Sequence, residues 1–459
     1  MASIAESLNI ALQHHQAGRL QEAEAIYRQI LQVHPNHPGA HHLLGMIAYQ
    51  VGRYDVAVEY VKRAIALNPA VAEFHNNLGT VYLDQGLSDQ ALVHLNKALQ
   101  LQPDYVEAHY NLGNALRDQG KFEAAMAQYR RALRHNPDYA GAHWNLSLVL
   151  LLTGNFKDGW QEYEWRWEAD VGKPWKRDFP QPLWDGTDLS GKTILLHAEQ
   201  GFGDTLQFIR YAPLVAKHGA QVIIECQPEM KSLLQSVEGV TRLAAKGEPL
   251  PDFDVHAPLL RLPMAFETML DTIPTQVPYI TADPERAAVW RRRIAGKRNT
   301  FKVGLAWSGN PTQGNDRNRS CSLAMYAALG RVRDVAFYSL QKGEAAKQTA
   351  SPLDGMALID FTGDLHDFAD TAALMSNLDL IISVDTSVAH LAGAVGKPVW
   401  TLLTFAPDWR WLLEREDCPW YPTMRLFRQE RPGDWPGAVA RAAEALQDMV
   451  RVGRVSVRS

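Results

Sequence analysis

Two short stretches combine residue types and spacings suited to holding a phosphorylated ligand. In SVDTSVAHLAGAVGKP an apolar run ends at Asp385, and Thr386 and Ser387 open a helical pattern. A helix starting there turns unbonded backbone N–H groups and the positive end of its dipole outward, which makes a ready phosphate site. Plain N-capping by Asp385 or Thr386 is the other use of these side chains, and the two are compatible. His390, one turn on, would approach a phosphate or sugar, or else pack in a core. In KTILLHAEQGFGDTLQF the turn QGFGD, with Gly201 and Gly203, follows an apolar strand, where open parallel sheets bind ligands. Many such GxG turns are only structural. Positive charge would come from Arg319 in NDRNRS and Lys342 in SLQKG, both just past strand ends. Asn310 and Gln341 are candidate sugar or base contacts, and Arg317 is a solvated neighbour. Trp307 suits stacking on an organic ring, or burial beside its strand.

The elements that must position these residues alternate. KTILLHAEQGFGDTLQFIRYAPLVAKHGAQVIIECQ reads as a strand, a glycine turn, an amphipathic helix and a second strand. A second series starts near Phe301 with FKVGLAWSG and continues through VAFYSLQ, MALIDFTG, LDLIISVD and KPVWTLL, with helices between. Two Rossmann-like lobes are expected, with a ligand cleft between them. WPGAVARAAEALQDMVRVG reads as a closing amphipathic helix.

The first third of the chain is periodic. Gly18, Gly52, Gly86, Gly120 and Gly154 are spaced 34 residues apart, as are Pro35, Pro69, Pro103 and Pro137. Ala23, Ala57, Ala91 and Ala125 mark close helix contacts, and Gly45, Gly79 and Gly113 mark the equivalent crowding in the first helix of each unit. The pattern resembles the tetratricopeptide repeat, which implies a superhelix with a groove for an extended peptide. Asn77, Asn111 and Asn145 fall one period apart and form an amide ladder. A ladder of this kind can pair with a peptide backbone irrespective of sequence, or bond neighbouring helices; O-linked N-acetylglucosamine transferase carries a similar one. His41, His75, His109 and His143 share the register and read as repeat architecture. In the fifth unit Trp160, Tyr163, Trp165 and Trp167 read as a junction packed against the next domain.

SVDTSVAHLAGAVGKP resembles the nucleotide-sugar motif of the heptosyltransferase-like family, and GFGDTLQF is similar to that family's GxGD turn. WSGNPTQGNDRNRS, SLQKG, PDWRW and PWYPTMRLFRQ resemble bacterial proteins joining tetratricopeptide repeats to such a domain. Ser387 stands where a glycine is often found after the threonine. The resemblance implies an α superhelix followed by an α/β GT-B fold and an inverting, nucleotide-sugar-dependent glycosyltransferase. It places the catalytic base on Asp204, which also suits a helix cap; His197 and Glu199 are the reserves. Gly201, Gly203, Trp307, Asn310, Arg319, Gln341, Lys342, Asp385, Thr386, Ser387 and His390 become the expected nucleotide-sugar contacts, and Asn77, Asn111 and Asn145 the peptide contacts.

The expected division is repeats over 4–173, with five units and the last a capping or junction unit, then a linker over 174–190. An acceptor-side lobe over 191–295 and a nucleotide-sugar-side lobe over 296–459 follow. A net charge of −5 argues against general nucleic-acid affinity. Cys226, Cys321 and Cys418 lack metal-ligand spacing and read as reduced packing residues. With neither a leader pattern nor a run long enough to span a bilayer, a cytoplasmic protein is expected. Asp252 and Asp254 form a DxD triplet that binds a metal in another glycosyltransferase fold; none is expected here, nor any cofactor beyond the nucleotide-sugar co-substrate. Arg425 and Arg428 would read an anionic sugar, or pair with Glu430 or Asp434. The expected acceptor is a protein such as flagellin recruited by the repeats; a lipid-linked saccharide or small molecule, or a non-catalytic adaptor, are the alternatives.

Overall fold

The structure is a computed structural model that describes residues 3–170, 172–294, 300–351, 353 and 355–456. The lobe boundary expected at 295 and 296 lies outside the described residues. By internal contacts the chain divides into Met1–Leu150 with Glu168–Asp170, and Leu151–Trp167 with Val171–Ser459.

The first unit is a tetratricopeptide superhelix built from helix pairs. They are Ile4–Gln16 with Leu20–Val33, Pro38–Gln50 with Tyr54–Leu67, Ala72–Asp84 with Ser88–Leu101, and Val106–Asp118 with Phe122–His135; Ala140–Leu152 follows. Each first helix ends at a glycine in the left-handed region, with φ of 75° at Gly52 and 72° at Gly120. There the chain reverses through bonds such as Arg53 N–H to Ala48 O at 2.8 Å. Ala23, Ala57, Ala91 and Ala125 are wholly buried. A Cβ at Gly79 would lie 2.6 Å from Leu95 Cγ, and one at Gly113 would enter the Tyr129 ring, so the helices pack closer than any side chain permits. The histidine register has a structural use as well. Nε2 of His41, His75, His109 and His143 meets the carbonyls of Pro35, Pro69, Pro103 and Pro137 at 2.9, 3.1, 2.9 and 2.7 Å, tying each first helix to the turn before it.

In the second unit the helix Phe156–Tyr163 carries Trp160 and Tyr163 of the fifth repeat, and the 3-10 turn Glu164–Trp167 carries Trp165 and Trp167. Trp160 and Tyr163 are buried, and Trp160 Nε1 donates to Thr268 O at 2.8 Å; Trp165 and Trp167 are half-buried. Two parallel sheets follow. The first orders β1 (Thr193–His197), β2 (Gln221–Cys226), β3 (Val240–Ala245) and β4 (Val255–Pro258) as β3-β2-β1-β4. The second contains β5 (Phe301–Ala306), β6 (Val335–Ser339), β7 (Leu358–Asp360), β8 (Leu380–Val384), β9 (Val399–Leu403) and β10 (Met424–Arg428), in the order β10-β9-β8-β5-β6-β7. Buried runs such as Leu380–Val384 suit central parallel strands covered on both faces. The strand order reverses between β1 and β4 and between β5 and β8, and ligands settle beyond the strand ends at such points.

Two stretches differ from their sequence reading. Part of the expected linker is built into the first lobe: Trp184 is buried and its N–H reaches His256 O at 2.8 Å, while His256 N–H reaches Pro182 O. MRLFRQ supplies the edge strand β10, and its arginines take other partners. Arg425 pairs with Glu416 at 3.0 Å, and Arg428 donates to Trp411 O and Arg415 O, so neither meets Glu430 or Asp434 through these bonds. The crowding at Gly113 makes a testable prediction. Gly113→Ala should destabilise the repeats by about 1–3 kcal/mol through overpacking, read as a lowered unfolding midpoint in urea.

Candidate active site

The turn after β1 is shaped by one carboxylate. Asp204 Oδ2 accepts from Gly201 N–H at 2.9 Å, closing the first turn of the helix Phe202–Phe208. Its capping role is thus realised, and Oδ1 is left to ion-pair with Arg410 of the second lobe. Burial raises the Asp204 pKa, against the opposing pull of Arg410 and the Gly201 amide. At Gly203 a Cβ would lie 2.8 Å from His390 Cδ2, so this glycine permits the crossing of a first-lobe helix over a second-lobe helix.

The turn after β8 supplies the facing wall. Thr386 is the N-cap of the helix Ser387–Ala394 but makes no side-chain capping bond. The opening amides of this helix are therefore not satisfied by their own cap. Asp385 sits beside this helix end with a side chain 15% exposed. Burial, with the nearby Asp408 charge adding to it, lifts its pKa to about 6, while Arg319 and Arg410 pull the other way. His390 is buried with Nδ1 2.9 Å from the Tyr421 hydroxyl, and burial among Arg410, Arg210 and Arg319 drives its pKa well down. A neutral His390 lies 3.9 Å from Asp385 and works as a packing and hydrogen-bonding group.

The remaining second-lobe candidates divide. Arg319 stands close enough to act on the charges of Asp204, Asp385 and His390, and is held by Asp316 at 3.3 Å. Trp307 is wholly buried in the core of the lobe, so no ring face is available for the expected stacking on a ligand. The Gln341 carboxamide is spent on backbone, with Oε1 accepting from Trp307 and Ser308 N–H at 2.9 Å and Nε2 donating to Ser308 O and Lys342 O. Lys342 Nζ donates to Thr362 O and Leu365 O at 2.7 and 2.9 Å, so its charge braces a loop. Asn310 closes its own turn by accepting from Thr312. These four are organised as scaffold around the strand ends.

Both reserve bases are enclosed. Glu199 is 2% exposed, faces Arg166 at 3.4 Å and is pushed up to about 7 by burial. His197 is 2% exposed, faces His256 at 3.2 Å and is pushed down to about 3 by burial. Neither offers an acceptor access comparable with Asp204, whose side chain is 18% exposed. Asp254 of the DxD triplet accepts from Thr193 N–H at 2.7 Å, pinning β1 to the segment before β4.

In the repeats the asparagine ladder is turned largely inward. Asn111 Nδ2 donates to Asn76 Oδ1 and Thr80 Oγ1 at 3.0 and 3.1 Å, and Asn145 Nδ2 to Tyr110 and Asn114 at 3.0 and 2.8 Å. Asn77 Nδ2 meets His42 Nε2 at 2.8 Å. Each amide thus stitches a first helix to the one before it.

Reading motifs singly missed Arg410, Asp408 and Gln207. For Arg410 and Asp408 the signal was the odd PDWRW segment, where a charged residue lies between two tryptophans; Gln207 sits in GFGDTLQF with no such mark. The shifted Asp385 makes a pH prediction. Its folded pKa lies above the unfolded value, so its stabilising contribution is complete below about pH 3.8 and is lost as pH rises through about 6. Asp385→Asn cannot ionise. The melting temperature of the variant, relative to the natural chain, should therefore climb as pH is raised from about 4 to 7.

Comparison with known proteins adds two families. Glycosyltransferase family 9 (heptosyltransferase) matches residues 341–431. Tetratricopeptide repeat models match residues 3–70, 42–106 and 94–127, and a TPR repeat model matches 113–154. Protein FlbA of Caulobacter vibrioides is 29% identical over 316 residues, 63% of this chain and 52% of that protein, so the chain spans about half the length of this relative. Among solved structures, MamA aligns at a TM-score of 0.32 and 22% identity, covering 36% of this chain and 96% of that one. A thermophilic TPR protein of Thermus thermophilus aligns at 0.33 and 22% identity, covering 37% and 92%. The chain joins tetratricopeptide repeats to a glycosyltransferase family 9 (heptosyltransferase) domain.

Proposed function

We propose that the protein is an inverting glycosyltransferase that moves a sugar from a nucleotide-sugar to a protein acceptor recruited by its repeats, without a metal, in the cytoplasm. The observation that carries the reading is the juxtaposition of Asp204, in the first turn of the helix after β1, with Arg319, Asp385 and the uncapped helix start at Thr386 beyond β8. The donor diphosphate would lie against the opening amides of Ser387–Ala394, with the Arg319 guanidinium countering its charge. Asp204 would take the proton of the acceptor hydroxyl as that oxygen bonds to the anomeric carbon. The carbon–phosphate oxygen bond breaks in the same displacement, and its electron pair leaves on the diphosphate. One displacement inverts the anomeric centre and needs one base. Gly201 and Gly203 then serve the turn and the helix crossing, while Gln341, Lys342 and Asn310 hold the loops in place.

A small-molecule or lipid-linked acceptor is the second reading. The inward bonding of Asn111 and Asn145 favours it, because it withdraws amide donors from a peptide. A flagellin-like subunit is an acceptor to test by analogy alone.

Two measurements test the proposal. Melting-temperature screens with ADP-, UDP-, GDP- and CMP-sugars should reveal one nucleotide that stabilises the chain by about 2.7 kcal/mol at a hundred times its dissociation constant. Asp204→Asn should keep that shift and lose about 10²–10⁴-fold in turnover. No stabilising nucleotide would move the weight to a non-catalytic adaptor. Separately, removing residues 1–140 should abolish transfer to protein while the donor shift persists. Full protein transfer by the trimmed chain would leave the repeats without a recruiting role.

A further inference from the structure

Arg410 is a buried charge shared between the two lobes. It is 8% exposed and follows β9 in the second lobe. Its Nη2 pairs with Asp204 Oδ1 and its Nε donates to Gln207 Oε1 at 2.6 Å, both on the first-lobe helix Phe202–Phe208. Its Nη1 pairs with Asp408 Oδ1 at 2.9 Å in its own lobe. The guanidinium lies 4.4 Å from the Trp409 ring centroid and 5.7 Å from that of Phe208. Trp409 is itself fixed edge-on against Trp160 at 5.3 Å and Trp420 at 6.0 Å. A planar fork clamped on an aromatic wall has little freedom to swing away, and a buried guanidinium needs both carboxylates to offset its lost hydration.

We propose that Arg410 is a positioning residue that reaches across the lobe boundary to aim Asp204 and keep it ionised, so that the base is competent only while the lobes are together. This rests on Asp204 being the base. The groups facing Asp204 are Arg410, Asp408 and Arg319 from the second lobe, with Glu199, Tyr163 and the Gly201 amide from the first-lobe side. Of the cations, Arg410 alone touches the carboxylate among the described residues. Losing it leaves a buried carboxylate that favours its protonated form. Losing Asp408 does the reverse, because the guanidinium then serves one carboxylate instead of two.

The test follows Asp204 directly in the full chain. With aspartate carboxyl carbons labelled with carbon-13, the Asp204 signal is the one absent from Asp204→Asn, and its titration midpoint is read by NMR. Arg410→Gln should raise that midpoint by about one to three pH units. Arg410→Lys should restore part of the shift, and Asp408→Asn should lower the midpoint below that of the natural chain. Shifts of opposite sign from two neighbours do not arise from loosened packing, and the Asp408 variant keeps the test open if Arg410→Gln fails to fold. An unchanged midpoint in Arg410→Lys and Asp408→Asn overturns the proposal. Turnover by Asp204→Asn at the natural rate, with the midpoints moving as expected, would instead overturn the reading of Asp204 as base and leave the electrostatic coupling standing.

Discussion

Charge buried between two sheets has to be paired, and the second unit is organised around that constraint. Arg410 and Arg210 both cross from one lobe to the other: Arg410 to Asp204 and Gln207, Arg210 to Trp420 O at 2.6 Å while also holding the Tyr279 hydroxyl of its own lobe at 2.8 Å. Each guanidinium presents several donors in one plane, so each can join elements distant in sequence. Removing either would leave buried and half-buried acceptors short of a donor. Trp409 and Phe208 line Arg410, and Phe156, Trp160 and Trp420 pack on from them, so the pair lies against apolar rings that keep the local dielectric low. Low dielectric strengthens the Asp204 pair and also raises the pKa values of Asp204 and Asp385.

Glycine makes this arrangement geometrically possible at one place. Without a Cβ at Gly203, the helix after β1 can rest on His390 of the helix after β8, which brings the two strand ends within reach of a common ligand. The repeats use the same device at Gly45, Gly79 and Gly113, where the second helix of each pair presses into the first. In both units a missing methyl group sets how near two helices come.

Much of the architecture was legible in the chain because it depends on local periodicity. The 34-residue step of glycines, prolines and histidines is announced by spacing alone; the left-handed φ of those glycines and the His-to-Pro carbonyl bonds came only with the structure. Apolar runs such as LDLIISVD announce central strands in the same way. β10 was missed because it is an edge strand whose arginines interrupt the apolar pattern; Arg425 is exposed and bonded to Glu416. Trp307 illustrates the opposite failure: a tryptophan after a strand suits a ligand or a core equally well in one dimension, and burial chose the core.

The sequence by itself determined the 34-residue repeat, the strands β1, β2 and β5 to β9, and the two turns, GFGD and VDTSVAH, that face the candidate site. Only the tertiary structure decided which polar groups remain for a ligand. Gln341, Lys342 and Asn310 are consumed by nearby backbone or turn atoms, and the asparagine ladder by the preceding repeat. Arg410, set between two tryptophans in PDWRW, meets Asp204 across 206 residues. The physical reason is range: periodicity and capping act within a few turns of chain, whereas the pairing of a buried charge depends on which distant atoms folding brings beside it.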